Sequence, residues 1–192
     1  MEKERKVKTL SIAALIVAVL GLTVAFAALS TKLTINGTAE VKAATWDIHF
    51  ANLSEATLTG TATVATAPTL TATKIGDYKI TIVKPGDGVK YTFDVENKGT
   101  IDAKLGTFTK PEPVCTSAGT AEGSAAEAAK VCAGLTYTLT YTDTGAAVKA
   151  EDTLAKGETK NLTLTLSYDS DSVPSNDVEI SGLDITMVYN QN

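Results

Sequence analysis

Histidine and tryptophan each occur once in this 192-residue chain, and cysteine and methionine twice each. A lone histidine excludes the His-rich ligand sets of most catalytic zinc centres, and no CxxC or HExxH spacing is present. It also leaves His49 as the only imidazole base for a Ser or Cys nucleophile, and there is no Gly-x-Ser-x-Gly elbow. The Gly-rich stretches lack the Lys-Ser/Thr ending of a phosphate loop. Asp169 with Asp171, and Glu151 with Asp152, fall in turn-like stretches and read as solvated loop residues rather than acid/base pairs. The former pair also lacks the Gly and distal Glu of an EF-hand. No catalytic residue, metal ligand or cofactor is assigned, and the chain is not expected to be an enzyme.

Positive charge is scarce beyond the N-terminus. The first 27 residues hold four basic and two acidic side chains, which leaves 13 basic and 20 acidic ones, a formal −7, for the remainder. That balance argues against binding nucleic acid, which needs clustered Lys and Arg, and against adhesion to anionic lipid. It suits a solvated acidic surface. Long apolar runs are absent after residue 31. A Leu-Pro-x-Thr-Gly sorting signal is absent too, so covalent attachment to a wall by sortase is not expected.

The one long apolar run is residues 9–31, uncharged throughout and directly behind Lys3, Arg5, Lys6 and Lys8. It directs export, so the remainder is expected outside the cell or at its surface. Its length exceeds the about 20 residues needed to span a bilayer and the roughly 7–15 of a signal-peptide core. Length therefore favours a membrane anchor. Ala25-Phe26-Ala27 is a small-x-small pattern, which favours cleavage between Ala27 and Ala28. The layout follows: 1–27 a signal peptide or membrane anchor, 28–43 an N-terminal segment, 44–192 a β domain.

From residue 33 the chain reads as short runs of Thr, Val, Ile and Tyr broken by Gly, Pro, Asn and Asp. Strands are expected over 41–50, over two segments of 56–73 about Ala67-Pro68, and over 77–83, 89–96, 101–109, 135–141, 161–168 and 178–189. In 45–50, Trp46, Ile48 and Phe50 share one face, and His49 points to solvent with Asp47. Residues 89–95 alternate strictly, as a half-buried antiparallel strand does. Gly99 is expected to supply a positive φ in the Asn97-Lys98-Gly99-Thr100 turn. Ser124-Ala-Ala-Glu127 has capping-box spacing and opens the one short helix, 125–133, which ends before Gly134. The sum is an all-β, antiparallel β-sandwich of jelly-roll or Ig-like type, preceded by an N-terminal hydrophobic helix.

Cys115 and Cys132 form an even pair in an exported chain. A disulfide closing a loop of about 18 residues is the simplest reading, adding roughly 3 kcal/mol, with two buried free thiols as the alternative.

The run Lys84-Pro85-Gly86-Asp87, then Tyr91 to Asn97-Lys98-Gly99-Thr100 and on to Leu105, resembles the TasA/camelysin family of secreted biofilm-matrix proteins from Gram-positive bacteria. The likeness covers the first hundred residues best. It implies a jelly-roll subunit that self-associates into extracellular fibres by donor-strand complementation. The donor would be the N-terminal segment, with Leu33, Ile35 and Val41 as its apolar positions. The alternative is that these residues pair within their own domain. Camelysin relatives have been classed as metalloproteases, but no metal-ligand motif stands here and that activity is not carried over. Two further readings compete with the fibre subunit: a monomeric, membrane-tethered Ig-like binding module, and a secreted enzyme.

Overall fold

A computed structural model describes residues 2–29, 36–76, 78–171 and 173–192, with side chains of 21–29 outside the description. The chain divides into two compact units, Met1–Lys42 and Ala43–Asn192.

In the first unit, helix α1 (Glu2–Leu29) runs for 28 residues, about 42 Å at 1.5 Å per residue. Leu10, Ile12, Leu15, Ile16 and Val17 are all exposed and lie on every side of it. Among the described residues, no helix is long and apolar enough to cross a membrane. The C-terminal half of the uncharged run lies beyond the described side chains.

The second unit is antiparallel β. Six short strands come first: β1 (Ile48–Ala51), β2 (Thr57–Thr59), β3 (Thr63–Thr66), β4 (Thr69–Leu70), β5 (Ile75–Gly76) and β6 (Lys79–Thr81). The long β7 (Gly88–Asn97), then β8 (Ala103–Thr109) and β9 (Val114–Ser117), precede helix α2 (Ser124–Ala133). The chain closes with β10 (Leu135–Tyr141), β11 (Thr153–Leu154), β12 (Thr159–Tyr168), β13 (Val178–Ser181) and β14 (Thr186–Gln191).

The alternating segments build the main sheet. Its order is β1-β7-β12-β10, with β2 also on β7. β1 pairs with residues 94–97 of β7 and β2 with 88–90, so the two lie in tandem along one side while β12 takes the other. Val89, Tyr91, Phe93 and Val95 of β7 and Leu162 and Leu166 of β12 face inward and are buried, as period-2 alternation requires.

The opposing layer is in two pieces. At one end the sheet β11-β8-β14 covers the main sheet, and Ala103, Leu105 and Leu154 close a core with Phe93, Val95 and Leu162. At the other end Val64 of β3 and Ile80 of β6 pack on Val89, Tyr91, Tyr137 and Leu166. Burial of a Leu such as Leu105 or Leu162 contributes roughly 1.5–3 kcal/mol relative to exposure.

Several sequence expectations are corrected. The strand expected over 41–50 is confined to 48–51, and 45–47 instead bond the 97–100 turn, with Lys98 N donating to Asp47 O and Thr100 N to Thr45 O. Trp46 is 46 % exposed rather than a core residue. Three short strands, not two, occupy 56–73. Residues 178–189 form two strands because the chain turns at Gly182, at φ 74°, where an added Cβ would meet Glu112 O at 3.0 Å. Opposite it stand Pro111 and Pro113, which have no N–H for a ladder. Gly99 has no positive φ; its missing side chain admits the Thr45 carbonyl, which an added Cβ would meet at 2.6 Å. The capping box does not form. Gly123 is the N-cap, Ser124 Oγ donates to Gly119 O, and Glu127 accepts from Ser175.

Candidate functional site

The two pieces of the opposing layer belong to separate sheets. Between them runs a groove of about 650 Å³, with residues 73–76 and Tyr78 on one wall and 180–187 on the other. Its floor is the inner face of the main sheet: Phe50, Phe93, Leu139 and Leu164. Phe50 and Phe93 meet edge to face, with ring centroids 5.6 Å apart. A second cleft of about 240 Å³ opens beside Trp46 and Ile48 and reaches Met187, Val188 and Tyr189 of β14. β14 pairs with β8 on one side, and among the described residues no ladder is formed on its other side. An unpaired edge therefore stands next to a groove in whose floor Phe93 and Leu139 are buried and Phe50 and Leu164 are half-buried. This combination is what a further strand needs.

Turn residues hold the frame around this seam. Asp87, in the Pro85-Gly86-Asp87 turn, has no accessible surface. Its carboxylate accepts from the backbone N–H of Thr61 at 2.6 Å, Val83 at 2.8 Å and Lys84 at 3.1 Å, and from the Thr61 hydroxyl. Desolvation works to raise its pKa, but these donors together outweigh it and hold the carboxyl at about 2. Asn97, equally buried, donates from Nδ2 to Ile101 O and Leu154 O and accepts from Gly99 N. The two turn motifs thus tie β7 to β3 and to β11. The sequence marks them as turns, but not as buried anchors, because the groups they bind lie 26 and 57 residues away.

Tyrosines line the ends of the seam. Tyr137 OH donates to Leu183 O, and burial raises its pKa, as does Tyr78 beside it. Tyr189 is pushed up to about 12 by burial, then by Asp152 and Glu158. Tyr91 OH is buried without a partner among the described residues.

Near the Trp46 cleft His49 Nδ1 lies 2.8 Å from Asp47 Oδ1, and its Nε2 3.4 Å from Glu96 Oε2. Lys98 Nζ also reaches Glu96 Oε2, at 2.9 Å. His49 sits on the solvent side of β1, opposite Glu96 in the ladder. Among the described residues no cluster of three His, Cys, Asp or Glu is placed to hold a metal ion.

Cys115 and Cys132 form a disulfide that binds α2 to β9. Ala27 and Ala28 lie in the last turn of α1. Leu33 and Ile35 fall outside the described residues. Val41 lies in no strand and is 96 % exposed. No family model, curated protein or solved structure matches the chain.

Proposed function

We propose that the chain is an exported structural protein of the cell surface or extracellular matrix. It is a fibre subunit of jelly-roll type that joins its neighbours by β-strand addition. The observation that carries this reading is the open seam beside β14. A strand laid along that edge would satisfy its free N–H and C=O groups and cover the half-buried Phe50 and Leu164. The donor is the N-terminal segment of a second copy, 28–43. Leu33, Ile35 and Val41 are separated by even numbers of residues and so share one face of an extended strand. The exposure of Val41 outside any strand supports a segment available for pairing. Export rests on the uncharged run 9–31, and the turn motifs that resemble the TasA/camelysin family support the same reading. Removal of residues 28–41 from the mature protein is expected to leave a folded monomer that no longer polymerises. Fibres of normal length from that variant would sink the reading.

A second reading, a monomeric Ig-like module tethered in a membrane, draws on α1, whose apolar residues from Leu10 to Val17 stand exposed. The intact mass of the exported chain separates the two. A chain starting at Ala28 supports release, and one starting near Met1 supports the tether.

A further inference from the structure

The outer face of the main sheet, on the side away from the seam, has an unusual composition. The ladders set its residues in rows. Thr140, Thr163 and Thr92 form one row, and Thr138, Thr165 and Lys90 the next. Thr57 extends the second row onto β2, and the row beyond it runs from Thr136 through Ser167 to Gly88. Lys90 is the only charge in these three rows, although the chain carries 39 charged side chains of the Lys, Arg, Asp and Glu types. Soluble surfaces interleave charges at roughly a quarter to a third of positions. Threonine is β-branched and stiff at χ1, so a face built of it loses little side-chain entropy on contact. In the other direction along β7 the outward positions turn acidic, at Asp94 and Glu96.

We infer that this threonine face stacks on the same face of a second copy. The two-fold axis runs across the strands, through the row of Thr140, Thr163 and Thr92. Such an axis sets every row against the row equally distant on the other side. Thr92 meets Thr92, and Lys90 of each copy meets Asp94 of the other. Glu96 falls over Gly88, where the neighbouring Thr59 and Ser167 side chains fill the surface and no charge stands. Opposite charges meet and like charges do not. Asn52 and Asn161 donate to Asp94 at 2.8 and 2.7 Å and fix its carboxylate in place. Four strands about 4.8 Å apart and five rows about 6.7 Å apart give roughly 640 Å² per copy, less than the about 800 Å² per partner of a standard interface. One contact is weak, and it strengthens where many copies are held in an array. It packs fibres side to side and is independent of strand addition.

Sedimentation of the exported protein over a range of concentrations, with electron microscopy of its fibres, tests this. Lys90→Asp brings aspartate against Asp94 and is expected to weaken lateral association about tenfold or more. Adding Asp94→Lys is expected to restore it. Thr163→Arg, which places two cations at the axis, is expected to abolish it while single fibres keep their length. The inference is overturned if the wild type shows no lateral association, or if Lys90→Asp and Thr163→Arg leave it unchanged. It is equally overturned if these variants lose only binding to a neutral polysaccharide.

Discussion

Asp87 and Asn97 show how a polar side chain can govern a β fold from inside a turn. Each is buried, and each satisfies donors or acceptors from distant segments. Asp87→Ala would leave the N–H groups of Thr61, Val83 and Lys84 without their acceptor, at a cost of roughly 3 kcal/mol. Because the folded carboxyl is held below its ordinary 3.8, its contribution is present above pH 3.8 and is lost as pH falls towards 2. Denaturant titrations are therefore expected to show a large deficit for Asp87→Ala at neutral pH that shrinks in acid. A deficit independent of pH would contradict this. The tyrosines act at the other end of the scale. Burial raises Tyr137, Tyr141 and Tyr189, so their contribution is complete below pH 10 and is lost as pH rises through the folded values, about 12 for Tyr189. Alkaline titration should show tyrosinate absorbance appearing late and together with unfolding. Smooth ionisation near pH 10 before any unfolding would count against it.

The secondary-structure elements differ in how openly the sequence announces them. Strands over 88–97, 103–109, 135–141 and 159–168 were legible because each buries one face, and period-2 alternation records that directly. The break at Gly182 was not legible, since Val178 to Tyr189 keeps an apolar alternation across it and the reason lies with Pro111 and Pro113 on the facing segment of the same chain. The Ser124–Glu127 spacing misled for a similar reason: both side chains bond outside the helix, to Gly119 and Ser175. Trp46 obeys the alternation of its neighbours but lies beyond the last ladder pair, beside an open cleft. The disulfide belongs to this level too. It ties α2 to β9, outside the main sheet, so its reduction is expected to cost about 3 kcal/mol. Amide exchange should quicken in 114–133 and 178–181 while the β7–β12 ladder stays protected. Equal loss of protection in that ladder would show that the bond supports the core instead.

In the β unit, the main sheet is one continuous ladder, whereas its cover is made of separate small sheets with a groove over half-buried Phe50 and Leu164. The sequence carries the main sheet plainly, but the groove arises from where short strands of separate sheets end, which no local residue pattern encodes. The exposed segment at Val41 and the bare edge of β14 are the two features that strand addition would bring together. The threonine face would offer a separate, lateral contact, so in the proposed fibre length and thickness are set by different surfaces. Amide hydrogen exchange on assembled and unassembled protein tests strand addition most directly. The account predicts that residues 33–41 and 186–191 become protected together on assembly, while β7 and β12 change little. Fibres in which both segments exchange as fast as in the monomer would contradict it.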